Sequence, residues 1–132
     1  MGENGNPQDP AKPLVLSVDD EVVVRELLKR YLPSLGFEVL VAESGEEALK
    51  YLEIAKPRIV LLDIHMPGMG GLETLRLIRQ RAPEQLVIML TAVQDEQIGQ
   101  LAVRAGANDY LTKPIDLPVL AKALRTHLLF HS

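Results

Sequence analysis

Cysteine is absent from the 132-residue chain. That removes disulfides, thiolate metal sites and cysteine nucleophiles together, and it fits a reducing, cytoplasmic setting. Tryptophan is also absent, and aromatic residues reach only 4%, so the core has to be built from aliphatic side chains. No apolar run approaches the ~20 residues that span a bilayer, so no membrane association is expected. The opening Met1-Gly2-Glu3-Asn4-Gly5-Asn6 lacks the basic and apolar segments of a secretory leader and the Ser or Thr that myristoylation uses at position 6. Basic residues are outnumbered, 14 Lys and Arg against 18 Asp and Glu for a net charge of −4, which argues against direct binding to nucleic acid.

What is present is ordinary globular material, 47% hydrophobic and 24% charged, at a length that suits one domain. Residues 1–13 read as a flexible tail rich in Gly, Asn, Pro, Gln and Asp, and a folded domain is expected over 14–129. Within it a pattern repeats. Leu14–Val18, Phe37–Val41, Ile59–Leu62, Leu86–Leu90 and the short Tyr110-Leu111 are apolar runs of strand length. Stretches of helical periodicity follow each of them. The first carries Val24, Leu27, Leu28, Tyr31 and Leu35, with Pro33 distorting its last turn and Gly36 as its stop. Ser44 and Glu47 form a capping-box pattern before Ala48, Leu52 and Ala55. A third helix from Gly71 to Arg81 buries Leu72, Leu75 and Ile78, and Pro83 closes it. The fourth presents Ile98, Leu101, Ala102 and Ala105 as a narrow stripe. The fifth, capped by Asp116, carries Leu117, Leu120, Ala121, Leu124 and Leu128. Runs that are apolar at every position indicate strands covered on both faces. Five strand-helix units therefore predict an α/β fold, a (βα)5 doubly wound parallel sheet.

In such sheets ligands bind beyond the carboxyl ends of the strands. Asp19, Asp20 and Glu21 follow the first strand, Asp63 the third, Thr91 the fourth, and Thr112-Lys113-Pro114 the fifth. Taken singly, the aspartates and Thr91 have bland readings as helix caps or turn residues, and Lys113 as a solvated charge. Together they put compatible chemistry on one edge. Carboxylates crowded at 4 Å repel by about 4 kcal/mol per pair at an effective dielectric constant of ~20, which a hard, oxygen-loving cation such as Mg²⁺ would relieve. A carboxylate beside such a cation can accept a phosphoryl group, and the Lys113 ammonium and Thr91 hydroxyl are suitable donors to its oxygens.

Four segments carry a more specific likeness: Val18-Asp19-Asp20-Glu21, Leu61-Leu62-Asp63-Ile64-His65-Met66-Pro67-Gly68-Met69, Leu90-Thr91-Ala92 and Tyr110-Leu111-Thr112-Lys113-Pro114. With them the chain resembles, over Leu14 to Leu128, the receiver domain of two-component response regulators. The resemblance implies a flavodoxin-like sheet of strand order 2-1-3-4-5 and Asp63 as phosphoacceptor. Asp20 would bind Mg²⁺ (Mn²⁺ as a substitute) directly, Asp19 through water, and the His65 backbone carbonyl would supply a further ligand. Lys113 would pair with the phosphoryl group, with Lys113-Pro114 as a cis peptide, and Thr91 and Tyr110 would act as switch residues. The phosphoryl donor would be a sensor histidine kinase, a phosphotransfer protein or acetyl phosphate. The output would be the surface of the fourth helix, fifth strand and fifth helix (α4-β5-α5 in chain order), read by a downstream domain or protein, with phosphorylation-dependent dimerisation as one form of response. No output domain is expected within the chain. The activity would be a switch that catalyses its own phosphorylation and dephosphorylation.

Two positions depart from common usage in that family: Gly70, where an acidic residue often stands, and His65. His65 and Val93 are expected to tune phosphoryl lifetime, because apolar Val93 cannot position an attacking water. Two rivals remain. A dehalogenase-type phosphatase needs a second acid where His65 stands. A degenerate, purely protein-binding receiver would have lost part of the set Asp20, Asp63, Thr91 and Lys113. His127 and His131 carry no expectation.

Overall fold

The computed structural model describes residues 12–92 and 95–131. Five strands form one parallel sheet: β1 (Leu14–Val18), β2 (Glu38–Ala42), β3 (Ile59–Asp63), β4 (Leu86–Ala92) and β5 (Asp109–Lys113), in the spatial order β2-β1-β3-β4-β5. Five helices alternate with them: α1 (Val22–Tyr31), α2 (Gly45–Ala55), α3 (Gly71–Arg81), α4 (Glu96–Arg104) and α5 (Leu117–Phe130). The strand order is that of a flavodoxin-like receiver fold, and it reverses direction between β1 and β3, where a ligand crevice opens.

The period-two alternation of the strands divides the core. Leu16, Val18, Val60, Leu62, Val87 and Met89 pack with Leu49, Leu52, Leu75, Ile78 and Ala102 of α2, α3 and α4. Val15, Ile59, Leu61, Ile88 and Leu90 pack with Leu28, Leu120 and Leu124 of α1 and α5. All five residues of β3 are buried, as expected of a central strand covered on both sides.

Local chemistry sets the ends of these elements. α1 stops at Tyr31, Pro33–Leu35 form a 3-10 turn, and Gly36 takes the left-handed conformation (φ +98°) that glycine adopts without strain. Ser44 accepts from the Glu47 amide at 3.1 Å, and Glu47 returns a carboxylate oxygen to the Glu43 amide at 2.8 Å, a variant of the reciprocal cap shifted by one residue. Asp116 caps α5 through the Val119 amide at 3.1 Å. α3 starts at Gly70 without a side-chain cap. It lies so close to the end of β3 that a Cβ at Gly71 would overlap the Asp63 carbonyl oxygen.

Two packing expectations need correction. The buried stripe of α4 is Gly99 and Ala102, with Ile98 half-buried; Ala105 is exposed and Leu101 is 50% exposed. The reason lies across the interface: the Tyr110 ring fills the space above Gly99, so bulk comes from the sheet rather than from the helix. Tyr31, assigned inward on α1, is 42% exposed, because the chain turns away at Leu32, which takes the buried place. No described helix is long and apolar enough to cross a membrane.

Candidate functional site

Sheet register gathers the reactive residues. Val18 pairs with Leu62, so Asp19 and Asp63 leave adjacent strands at the same level. Asp63 pairs with Leu90, and Ala92 with Lys113, which places Thr91 and Lys113 one and two steps beyond it. One carboxylate oxygen each from Asp19, Asp20 and Asp63 lies within 4.8 Å of the others. Asp20, Glu21, Asp63, His65, Ala92 and Lys113 line a cavity of about 440 Å³ above them.

Lys113 Nζ lies 2.9 Å from Asp19 Oδ2, 2.8 Å from Glu21 Oε1 and 3.5 Å from Asp63 Oδ2. Asp19 is fully buried; its Oδ1 accepts from the Glu21 amide at 2.9 Å, and Arg25 Nη1 donates to its backbone carbonyl at 2.8 Å. Asp63 Oδ1 accepts from the His65 amide at 3.3 Å. The electrostatics follow from burial and crowding. Burial pushes the Asp63 carboxyl up to about 6, the Asp19 charge adds to the rise, and Lys113 and the His65 amide pull the other way. Burial acts against the Lys113 charge as well, but Glu21, Asp19 and Asp63 outweigh it and hold the ammonium above its ordinary value.

Among the described residues three buried side-chain oxygens lack a hydrogen-bond partner, Ser17 Oγ, Asp19 Oδ2 and Thr91 Oγ1, where such atoms are nearly always satisfied. Of these, Asp19 Oδ2 faces the Lys113 ammonium without an aligned hydrogen bond. An all-carboxylate oxygen cluster fits a hard divalent cation. The buried, unpaired Thr91 hydroxyl, one residue past the register of Asp63 on β4, is of the type that donates to an incoming oxygen-rich group.

A family model described as the response regulator receiver domain matches residues 15–125. The chain belongs to the response regulator receiver family. Among curated relatives, this receiver is 37% identical over 115 residues to a cyclic di-GMP phosphodiesterase of Thermotoga maritima, covering 87% of the chain and 30% of that protein. It is 40% identical over 100 residues to the alkaline phosphatase synthesis transcriptional regulatory protein PhoP of Bacillus subtilis, covering 76% of the chain and 42% of the relative. The receiver thus spans less than half of either protein. Among solved structures, the receiver domain of NtrX from Brucella abortus matches with a TM-score of 0.82 and 32% identity, over 89% of this chain and 99% of that one. A receiver is a signalling module, and this one carries the acidic cluster that suits the magnesium site of its family.

The structure brings Asp19, Asp20, Asp63, His65 and Lys113 to one pocket, and the Lys113-Pro114 bond is cis. Thr91 is buried in β4 at the level of the pocket. Tyr110 is half-buried against Gly99 of α4. The His65 ring is exposed and lies 2.7 Å from Asp95 Oδ2. Val93 lies outside the described residues. Sequence reasoning left three participants without a role. Glu21 was visible as the third acid of a run. Arg25 and Asp95 carried no signal, because their contacts depend on helix placement.

Proposed function

We propose that the domain spanning 14–129 is the phosphoacceptor switch of a two-component pathway, active in the cytoplasm, with Asp63 receiving the phosphoryl group. The observation that carries this reading is Asp63 itself: a buried carboxylate 3.5 Å from Lys113 Nζ, with oxygens of Asp19 and Asp20 within 4.8 Å. A bound Mg²⁺, or Mn²⁺ in its place, would supply charge neutralisation for the transferring phosphoryl group. Asp20, Asp63 and the His65 carbonyl would hold it directly and Asp19 through water.

Asp63 Oδ attacks phosphorus, the donor's bond to phosphorus breaks, and the leaving imidazole or acetate takes the electron pair. Lys113 then turns from its carboxylates toward the phosphoryl oxygens, and Thr91 finds in them the partner that its hydroxyl lacks. Tyr110 follows Thr91 inward, which biases the α4-β5-α5 face. The exposure of Leu101, Val103 and Val119 on that face supports its reading as a surface for a downstream domain or a second copy. The donor is a histidine kinase or phosphotransfer protein, with acetyl phosphate as a small-molecule substitute. An apolar groove lined by Val23, Val24, Leu27 and Ile115 shares Glu21, Ala92 and Lys113 with the acid pocket, a suitable seat for such a donor.

Incubation with acetyl phosphate and Mg²⁺, read by intact mass, tests the proposal. One added phosphoryl group is expected, absent in Asp63→Asn and absent without the metal. No uptake by the unaltered chain would refute it.

A further inference from the structure

His65 Nε2 lies 2.7 Å from Asp95 Oδ2, joining the loop after β3 to the start of α4. Asp95 is the N-cap residue of α4, a position where an aspartate ordinarily accepts a hydrogen bond from an amide of the first turn. Here it makes no such bond, and its carboxylate turns to His65 instead. The same His65 donates its amide to Asp63 Oδ1 and lines the acid pocket. One residue therefore ties the acceptor carboxylate, the pocket rim and the switch helix together. The His65 and Asp95 side chains are 55% and 30% exposed, so the pair adds little to folding stability. What it does is fix where the ring stands.

We infer that Asp95 is a positioning residue that holds the His65 imidazole across the mouth of the acid pocket, so that α4 governs how readily water reaches a phosphoryl group on Asp63. This rests on the phosphoacceptor reading of Asp63. In the step concerned, water oxygen bonds to phosphorus and the bond from phosphorus to Asp63 Oδ breaks, its electron pair returning to the carboxylate. Inorganic phosphate leaves with one of the water's protons, and the other passes to solvent. A ring tethered to α4 screens the pocket on that side; an untethered ring swings away and opens it.

The test uses the full chain loaded with acetyl phosphate and Mg²⁺, then stripped of donor, with phosphoryl loss followed by intact mass. Asp95→Ser keeps a good helix cap but cannot reach His65. It and His65→Ala should each shorten the lifetime about two- to fivefold, the scale an exposed pair can transmit. The double variant should be no faster than either single one, and Asp95→Asn, which still hydrogen-bonds the ring, should restore the slow rate. A lifetime unchanged in Asp95→Ser, or effects that multiply in the double variant, would overturn the inference. If the unaltered chain takes up no phosphoryl group, the phosphoacceptor reading fails separately. The tether is then judged by the NMR resonances of the His65 imidazole, which must shift in Asp95→Ser and stay unshifted in a distant control variant, Lys29→Ala.

Discussion

The ammonium of Lys113 sits 2.8 Å from Glu21 Oε1, closer than its 3.5 Å approach to Asp63 Oδ2. Glu21 therefore competes with Asp63 for the Lys113 ammonium, the cation assigned to the phosphoryl group in the proposed scheme. Glu21→Gln removes a negative charge and frees Lys113 for Asp63, and both effects lower the Asp63 pKa from about 6. Lys113→Ala removes the attraction and raises it. Carboxyl-carbon NMR titration in metal-free buffer reads both shifts. An Asp63 midpoint that ignores Glu21→Gln would show that the contact has no hold on the acceptor.

The same carboxyl makes stability depend on pH. Its value is raised from 3.8 to about 6 on folding, so between these values the native state binds more protons than the unfolded one, and stability falls as pH rises through the interval. Below about pH 4 the penalty vanishes; above about pH 6 it is complete. In metal-free buffer Asp63→Asn should be more stable than the parent by about 3 kcal/mol at pH 8, with little difference at pH 4. Millimolar Mg²⁺ should add stability to the parent through binding to the folded state and so narrow the gap. Urea denaturation at the two pH values measures it, and a gap independent of pH would contradict the burial argument.

Most of the fold was legible because its causes are local. An unbroken apolar run as short as Ile59–Leu62, repeated between helical stretches, reads as a strand covered on both faces, and Asp63 at its end falls where parallel sheets place ligands. The acid cluster was legible for the same reason, since Asp63 and Lys113 end their strands and Asp19 follows directly on its own. The inward face of α4 was not, because glycine carries no hydrophobic signal and Gly99 packs directly under the Tyr110 ring. The pairing of His65 with Asp95 was equally hidden: nothing in either neighbourhood announces a partner thirty residues away.

Gly99 offers a direct check on that interface. A Cβ there would come within 2.5 Å of Tyr110 Cδ2, so either the ring or the helix must move. Alanine in a helix interior is ordinarily worth about 1 kcal/mol over glycine. In a Tyr110→Ala background Gly99→Ala should therefore stabilise the domain by about that amount. With Tyr110 present the gain should disappear or reverse. Denaturation midpoints of the four combinations measure the coupling, and simple additivity would mean that the close approach is not felt.

Thr91 poses the sharpest conflict between stability and function. Its hydroxyl is fully buried, with no hydrogen-bond partner, and a polar group so placed costs about 1–3 kcal/mol. Valine has nearly the same shape without the hydroxyl, so Thr91→Val should raise the stability of the unphosphorylated, metal-free domain by about 1 kcal/mol. A core threonine with an unnoticed partner would instead lose stability in the same variant. Uptake of the phosphoryl group at Asp63 should persist, since Thr91 is neither nucleophile nor metal ligand in the proposed scheme. The change that uptake imposes on α4 and β5 should weaken, because the phosphoryl oxygens no longer have a hydroxyl to draw in. Amide chemical shifts of Gly99 and Tyr110, compared before and after loading with acetyl phosphate, would separate these effects. Full-sized shifts in Thr91→Val would mean that the hydroxyl is not what links the acceptor to the switch surface.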